Sequence, residues 1–227
     1  MLAMEGVCWL CRQLLKIPQQ GICSFCIKNL PPMPKVCPQC ALPCEYHQFP
    51  CGRCLVQPPP WQRLITVTPY QAPLRQLIHQ YKFRYQPQLA IPLTRIFLLY
   101  WLNGYRQQQW KKPDLLITIP PHPRRCWRRG FDHMALIGGN LTTWLNIAYS
   151  QNSLLRSRDT LTQVSLTRKQ RRNNLKEAFT LETSVSGLHI AIIDDVITTG
   201  STMHAAAQLL ICAGAHTVDA WSLCRTL

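Results

Sequence analysis

Four cysteine pairs lie within the first 54 residues of this chain, and no other feature of the sequence limits its possible folds so strongly. In each pair two residues separate the cysteines, and the pairs are Cys8/Cys11, Cys23/Cys26, Cys37/Cys40 and Cys51/Cys54. A CxxC unit can present two thiolates at about 2.3 Å from one zinc ion, so two units complete a tetrahedral site. Disulfides are rare in reducing compartments, and the residues up to 60 carry too little apolar side chain to fold unaided. The sequence therefore predicts about two structural Zn2+ ions in an amino-terminal module.

Sequential pairing of the CxxC units keeps both intervening loops short, and we prefer it to crossed pairing. Its ligand sets are Cys8, Cys11, Cys23 and Cys26 for one ion and Cys37, Cys40, Cys51 and Cys54 for the other. Cys44 is a ninth cysteine in this region, with His47 three residues later. Cys44 could replace one ligand, but a spare buried thiol is the interpretation that we favour.

The charge balance points to a partner rich in phosphate. The chain has 25 basic and 10 acidic side chains, a formal net charge of +15. Such an excess is typical of proteins that bind nucleic acids, nucleotides or anionic lipids. The opening residues MLAMEGVCWLC lack the pattern of a signal peptide, and the longest apolar run, residues 96–102, is too short for a membrane helix. We expect a cytoplasmic protein with reduced thiols and no membrane insertion.

The segment Gln57-Pro58-Pro59-Pro60 predicts a stiff, non-helical linker and a domain boundary. We expect a cysteine-rich zinc-binding module at residues 1–57 and a second domain at residues 61–227. Strands and helices alternate in the second domain, which predicts an α/β fold with a mostly parallel sheet flanked by helices. The expected strands are Leu64–Thr68, Asp114–Ile119, His189–Ile193 and Thr217–Leu223; the expected helices follow Leu74 and cover Leu89–Leu102, Phe131–Leu145 and Ser201–Cys212. The polar residues 156–172 are expected to form a long loop.

A pair of acids, Asp194-Asp195, ends the predicted strand at His189–Ile193. Ligands of open parallel sheets bind at the carboxyl ends of the strands, so these acids are candidate site residues. The following turn enters a helix whose first N–H groups are unpaired and can bind phosphate. Gly200 allows close approach of the backbone, and further hydroxyl donors are Thr198, Thr199, Ser201 and Thr202.

The carboxylates suit ribose hydroxyls or a magnesium ion, so the stretch predicts a site for a ribose 5-phosphate. The simpler alternative is an ordinary helix with Ser201 as its N-cap and the aspartates in a solvated turn. A P-loop is poorly supported, because the stretch has neither the second glycine nor the lysine of that motif.

The Asp194–Thr202 stretch resembles the phosphoribosyl pyrophosphate (PRPP) motif of type I phosphoribosyltransferases. Three further segments accompany it and the CxxC units, namely Cys51-Gly52-Arg53-Cys54, LIHQYKF at residues 77–83, and Arg128-Arg129-Gly130-Phe131. Together they make nearly the whole chain similar to the ComF family of competence proteins, and especially to the GntX-type DNA-utilisation proteins of enteric bacteria. The resemblance implies a type I phosphoribosyltransferase-like sheet preceded by a small double zinc-ribbon-like module.

The resemblance also implies PRPP with Mg2+ as a ligand. The implied PRPP-binding residues are Asp194, Asp195, Thr198, Thr199, Gly200, Ser201, Thr202, Arg124 and Arg125. Phosphoribosyl transfer needs cationic donors and magnesium on the departing pyrophosphate, and Arg124 and Arg125 match in position the pyrophosphate loop of the fold. The implied catalytic residues are Asp194, Asp195 and Arg171. The basic loop that contains Arg171 is a candidate lid.

One position departs from purine-salvage relatives, which carry an acidic base where this chain has Thr198. His122 could act as the base instead, although we favour a passive loop role for it. An active phosphoribosyltransferase in nucleotide metabolism, with an unknown nitrogenous acceptor, therefore remains an alternative function.

DNA handling is the other function that the sequence supports. Trp127 lies between arginines, where an exposed indole can stack on a base, so the candidate DNA-binding residues are Trp127, Arg128 and Arg129. The four arginines at 124, 125, 128 and 129 also fit a plain nucleic-acid patch, whereas Asp194-Asp195 favours PRPP, since two acids would repel DNA phosphates. We therefore expect a PRPP-binding protein of DNA uptake or utilisation. Single-stranded DNA and DNA-uptake proteins are candidate partners, and a homodimer is a candidate assembly.

Overall fold

The computed structural model describes residues 6–107, 109–121, 126–127, 129–156 and 179–227. Its α-helices are α1 (Ser24–Lys28), α2 (Gly52–Val56), α3 (Leu74–Phe83), α4 (Ala90–Arg106), α5 (His133–Leu145) and α6 (Ser201–Cys212). Its strands are β1 (Leu64–Pro69), β2 (Leu115–Thr118), β3 (Ala148–Ser150), β4 (Leu154–Arg156), β5 (Phe179–Leu181), β6 (His189–Ile197) and β7 (Thr217–Arg225). Short 3-10 helices cover Pro18–Gln20 and Pro87–Leu89.

Five of these strands form one sheet in the order β1-β7-β6-β2-β3, and all neighbouring pairs are parallel. From β2 the chain passes through α5 to β3 on one side, whereas from β6 it passes through α6 to β7 on the other. The two connections therefore diverge between β2 and β6, which is the switch point where open α/β sheets bind ligands. The expected fold class, a parallel sheet flanked by helices after a cysteine-rich module, is confirmed.

Strand β6 is longer than the sequence predicts. It continues past Ile193 because β7 pairs with it as far as Ile197↔Arg225. Strand β2 ends earlier, at the pair Thr118↔Ile193. Asp194 and Asp195 therefore lie inside β6, beyond the end of β2. This part of β6 pairs with β7 but not with β2.

Two further boundaries differ from expectation. Helix α5 begins at His133 rather than at Phe131, because the Asp132 side chain caps the helix by accepting the N–H groups of Met134 and Ala135. Strands β4 and β5 pair as an antiparallel ribbon that the sequence did not predict. This ribbon takes Arg156 out of the expected loop and makes it the last residue of β4.

The sheet has a separate apolar core on each face. One core contains α3, α4 and α5, with large buried side chains such as Phe97 and Trp101 of α4 packed near Trp221 of β7. The other contains α6, whose Met203 and Leu210 pack on the opposite face. Residues 190–193 of β6 alternate between the two cores, as the period of two in a pleated strand requires. No helix within the described ranges combines the length and apolar composition that a bilayer-spanning helix needs.

The cysteine-rich module packs on both faces of the sheet beside β1. Ile22, in its first half, is buried in the α4 core, whereas Ala41, in its second half, is buried in the α6 core. The backbone N–H of Leu64 donates to the Pro38 carbonyl at 2.9 Å, and the Thr68 hydroxyl donates to the Pro31 carbonyl at 2.6 Å. The module is therefore joined to β1 by hydrogen bonds as well as by apolar contacts.

Candidate functional site

The eight CxxC cysteines form two groups of four, Cys8/Cys11/Cys23/Cys26 and Cys37/Cys40/Cys51/Cys54, which is the sequential pairing. Within each group all sulfur atoms lie within 4.8 Å of one another. The Sγ atoms of Cys11 and Cys23, and those of Cys40 and Cys51, are each 3.8 Å apart. A tetrahedron with metal–sulfur bonds of about 2.3 Å has edges of about 3.8 Å. Both groups therefore fit a structural zinc ion.

In each group a backbone amide donates a hydrogen bond to one cysteine sulfur. The N–H of Cys23 points to Cys8 Sγ at 3.4 Å, and the N–H of Cys51 points to Cys37 Sγ at 3.2 Å. Burial would raise the pKa of both thiols, but the amide hydrogen bonds outweigh it. They lower the pKa of Cys8 to about 6 and that of Cys37 to about 7. Both thiols therefore favour the thiolate form that zinc requires.

Cys44 lies outside both groups of four. Its thiol donates to the carbonyl of Tyr46 at 3.5 Å, and the nearby His47 is exposed. Each zinc site is complete without these two residues, so the structure gives neither of them a ligand role.

A cleft of about 340 Å³ opens at the carboxyl ends of β2 and β6. Pro120 and Pro121, directly after β2, form part of its wall. The polar lining consists of Asp194 and Asp195 of β6, Thr198 and Thr202 of the following turn, and Lys82, Arg129, His133 and Arg156 from other segments. The fold thus gathers the acids, the hydroxyl turn and four basic or imidazole side chains around one opening.

Asp195 is a buried carboxylate with two nitrogen partners. Its exposed fraction is 3%, Lys82 Nζ forms an ion pair with its Oδ2, and His133 Nε2 lies 3.3 Å from the same oxygen. Its Oδ1 accepts the N–H of Val196 at 2.7 Å. Burial would raise the pKa of Asp195, but Lys82 and His133 outweigh burial and hold that pKa below its usual range. Asp195 therefore stays ionised at neutral pH.

The pairing continues from His133 to Arg129. Arg129 Nη1 lies 2.6 Å from Nδ1 and 3.1 Å from Nε2 of the imidazole, and a guanidinium can only donate, so the ring accepts from Arg129. Nε2 also faces Asp195. The Tyr81 hydroxyl donates to the His133 carbonyl at 2.6 Å and fixes the start of α5 against α3. Lys82, Asp195, His133 and Arg129 therefore form one connected polar chain along the cleft.

Asp194 has a different environment from Asp195, because successive side chains of a strand point to opposite faces. Its Oδ1 accepts the N–H of Asp195 at 2.9 Å. Although Asp194 keeps some exposed surface, desolvation and the charge on Asp195 raise its pKa to about 7, against a smaller lowering by Lys82. Asp194 is therefore the acid of the pair that changes its proton near neutral pH.

The turn from Thr198 to Thr202 enters α6 with Gly200 as the N-cap. Gly200 has φ 80°, in the left-handed region that favours glycine. No side chain caps α6; Thr199 Oγ1 instead accepts the N–H of Ser201 at 3.3 Å and contacts its hydroxyl at 3.0 Å. Ser201 is thus the first helical residue and not the N-cap that the simpler sequence alternative required. Thr198 and Thr202, at the two ends of the turn, line the cleft.

Several residues predicted from the sequence lie outside the described ranges. They are His122, Arg124, Arg125, Arg128 and Arg171, together with the rest of the candidate lid between residues 157 and 178. The two remaining candidate DNA residues have contrasting positions, since Trp127 is 85% exposed whereas Arg129 is 7% exposed and lines the cleft.

Sequence reasoning gave no role to Lys82 or His133, although both line the cleft and contact Asp195. Lys82 had a usable signal, since it directly follows Tyr81 on the buried face of α3 and is only 20% exposed itself. A lysine this deeply placed needs an acidic partner. For His133, the first residue of α5, no local pattern exists, because its partner Asp195 lies 62 residues away on strand β6.

Curated relatives match the chain from end to end. DNA utilization protein YhgH of Escherichia coli O157:H7 is 47% identical over 227 residues, covering 100% of both chains. Competence protein F of Haemophilus influenzae is 36% identical over 221 residues, 96% of each chain. Competence protein ComFC of Bacillus subtilis is 26% identical over 237 residues, covering 98% of this chain and 91% of that protein.

The family described as "Phosphoribosyl transferase domain" matches residues 141–226, which run from within α5 to the end of β7. This range includes both aspartates and the turn before α6. Among solved structures, the allosteric regulatory enzyme of purine biosynthesis aligns with a TM-score of 0.41 and 15% identity. That alignment covers 63% of this chain and 29% of the enzyme.

Proposed function

This chain belongs to the family of DNA utilization protein YhgH and competence protein F, and we propose on that basis that it binds PRPP with Mg2+ and acts in DNA utilisation. The observation that carries the ligand assignment is the Thr198–Thr202 turn, which meets Asp194 and Asp195 in a cleft at the sheet's switch point. The match to the phosphoribosyl transferase domain covers the same residues. A ribose 5-phosphate is a ligand that both the turn and the acids can bind.

In this proposal the turn and the acids bind different parts of PRPP. The 5-phosphate lies against the amides and hydroxyls before α6, where the helix dipole favours an anion. Deprotonated Asp194 binds a ribose hydroxyl or Mg2+, while Asp195 stays paired with Lys82 and His133 and keeps them in place. Bound Mg2+ would offset the negative charge of the pyrophosphate group. Because Asp194 must lose its proton, PRPP should bind more weakly below about pH 7 than above it.

We expect PRPP with Mg2+ to raise the melting temperature of the full chain and Gly200→Val to remove the effect. A ligand at one hundred times its Kd stabilises the folded state by about 2.7 kcal/mol, or roughly 5–10 °C in a chain of this size. A Cβ at position 200 would make only ordinary contacts, with Ile197 Cγ2 at 3.8 Å and Trp61 Cη2 at 3.9 Å, but a β-branched valine strains the positive φ and displaces the turn. Differential scanning fluorimetry measures the shift.

Gly139→Ala is the matched control for this experiment, because a Cβ there meets nothing within 4 Å and Gly139 lies inside α5, away from the turn. This variant should keep the full PRPP shift. A parent protein that shows no shift at millimolar PRPP would refute the ligand assignment.

We further propose that the same rim of the cleft holds single-stranded DNA. Supporting this are the net charge of +15 and three exposed aromatic side chains, Trp127 at 85% and Phe83 and Tyr85 at 63% each. Phe83 lies beneath the Arg129 guanidinium at 5.6 Å, and a Cβ on Gly130 would come within 2.7 Å of the Tyr85 ring. The three rings thus surround one short basic segment. Aromatic rings beside cations are the usual platform for unpaired bases.

Trp127→Ala should weaken binding of a labelled single strand by about fivefold or more, since base stacking contributes roughly 1–3 kcal/mol per base. Saturating PRPP should also weaken it, because both polyanions would use the same basic groups. Fluorescence anisotropy at several salt concentrations measures the affinity and the slope of its logarithm against the logarithm of the salt concentration, about -0.7 per neutralised phosphate.

Phe25→Ala is the control for Trp127→Ala, since Phe25 is 72% exposed but lies in the cysteine-rich module. If PRPP leaves the DNA affinity unchanged, the DNA contacts lie elsewhere, and Trp9 and Arg53 of the module become the next candidates.

A further inference from the structure

Arg225, the last residue of β7, joins the second tetracysteine group to the turn before α6. The side chain is only 5% exposed. Its Nε donates to the carbonyl of Cys40 at 3.1 Å, and its Nη1 donates to the carbonyl of Ile197 at 3.0 Å. Cys40 is a ligand of the second group, and Ile197 directly precedes Thr198. One guanidinium therefore bridges the metal site and the phosphate-binding turn.

Trp61 forms a second bridge between the same two places. Its Nε1 donates to the carbonyl of Gln39, between Cys37 and Cys40, at 2.7 Å. The other end of the indole lies against the start of α6, where its Cη2 is 3.9 Å from the position of a Cβ on Gly200 and its ring meets the His204 ring edge-on at 6.2 Å. Trp61 is 8% exposed, so neither contact is a mobile surface contact.

Both bridges begin at backbone carbonyls of one CxxC loop, and the metal determines where that loop lies. A buried guanidinium needs its acceptors, because an unpaired donor cannot recover its lost hydration. If the loop of residues 37–40 moves, Arg225 and Trp61 must move or lose a partner. Either change reaches Ile197 and Gly200, the two residues that set the course of the turn.

The first tetracysteine group provides an internal comparison. Its link to the rest of the chain is Arg95 of α4, whose Nη1 donates to the carbonyl of Ile22 at 2.7 Å. Helix α4 packs on the other face of the sheet from α6. The first group is therefore also linked to the fold by a partly buried arginine, but not through the turn.

We propose that Arg225 and Trp61 are positioning residues through which the metal of the second group holds the Thr198–Thr202 turn in its ligand-binding form. Zinc at Cys37/Cys40/Cys51/Cys54 and PRPP at the turn then strengthen each other's binding, as linkage requires of two coupled sites. The coupling to PRPP rests on the proposed function, whereas the effect on the turn itself does not.

The first test needs no ligand. Hydrogen exchange is measured on the zinc-loaded full chain, in the parent and in Arg225→Met, at two hydrogen-bonded amides that report on the turn. His204 N–H donates to the Gly200 carbonyl at 2.8 Å, and Thr226 N–H donates to the Ile197 carbonyl at 3.0 Å. We expect the variant to exchange at these amides at least tenfold faster. Arg95→Met, which removes the corresponding link of the first group, should leave them unchanged. Trp61→Phe keeps an aromatic ring but removes the hydrogen bond to Gln39, and should accelerate the exchange of these amides to a smaller extent. This variant replaces Arg225→Met in the test if Arg225→Met fails to fold.

The second test measures the coupling itself, which a merely structural arginine would not alter. Alkylation of the cysteines in zinc-loaded protein is followed peptide by peptide with mass spectrometry. Saturating PRPP with Mg2+ should slow alkylation of Cys37, Cys40, Cys51 and Cys54 about fivefold or more in the parent, a typical size for coupled sites. It should not slow that of Cys8, Cys11, Cys23 and Cys26. In Arg225→Met the protection should disappear although zinc remains bound.

The outcomes separate this inference from the proposed function. Unchanged exchange of the His204 and Thr226 amides in both Arg225→Met and Trp61→Phe overturns the inference, even where PRPP binds normally. PRPP protection that is equal for the two cysteine groups also overturns it. A parent protein that does not bind PRPP refutes the proposed function alone, and the exchange comparison still decides whether the second group controls the turn.

Discussion

Chelating zinc from the full chain is expected to unfold the cysteine-rich module and to produce the largest loss of stability of any change considered for this protein. Structural zinc contributes about 10–16 kcal/mol to the folding of small zinc-binding peptides. The module has little else of its own, because its buried residues Ile22 and Ala41 complete cores that belong to the sheet. Metal analysis of protein purified without added zinc should give about two ions per chain.

Two cysteine variants sharpen this prediction. Cys11→Ser should lower the metal content to about one ion per chain, since it removes a ligand from one group only. Cys44→Ser should leave the content unchanged, because Cys44 lies outside both groups. Circular dichroism during chelation follows the accompanying unfolding. A protein that carries almost no zinc and keeps its fold would disprove the zinc assignment.

Replacing Lys82 with methionine is expected to lower the melting temperature by about 10 °C. The substitution leaves the Asp195 carboxylate buried, with His133 and the backbone N–H of Val196 as its partners and no lysine to offset its charge. Removing one member of a buried ion pair typically costs about 3–5 kcal/mol, and each kcal/mol corresponds to roughly 2–4 °C in a chain of this size. Thermal unfolding at neutral pH measures the change.

The double variant Lys82→Met/Asp195→Asn should recover most of this loss, because it removes the buried charge as well as its partner. Lys112→Met, at an exposed lysine, should change the melting temperature little. The folded-state pKa of Asp195 is depressed, so the pair's contribution is complete above the unfolded pKa of about 4 and is lost as the pH falls through the folded value. If Lys82→Met alone is as stable as the parent at pH 7, the ion pair of Lys82 and Asp195 makes no net contribution to folding stability.

The elements that the sequence predicted are those with a local signal. Short apolar runs such as residues 115–117 and 190–193 favour buried strands, and the hydroxyl-rich turn can be recognised because all its residues lie within five positions. The end of β6 had no such signal. It depends on pairing with β7 as far as Arg225, a partner 28 residues away from Ile197.

The contacts of the polar chain in the cleft could not be predicted from any local sequence pattern, for a similar reason. Lys82, His133 and Asp195 come from α3, α5 and β6, and only the packed sheet brings them together. The sequence pattern gave the two aspartates equivalent roles. Burial and the placement of Lys82 make them different, so that Asp195 stays charged while Asp194 titrates near pH 7.

The position of the module beside β1 bears on how the protein behaves when its metal is lost. An uncovered outer strand of a sheet offers unpaired N–H and C=O groups to any other chain, and apolar β-branched residues make such a strand prone to aggregate. The sequence of β1, LITVTP, has this character, and its Leu64 amide is held by Pro38 of the module. We therefore expect loss of zinc to loosen the module, to expose the outer edge of β1 and to promote aggregation through this strand.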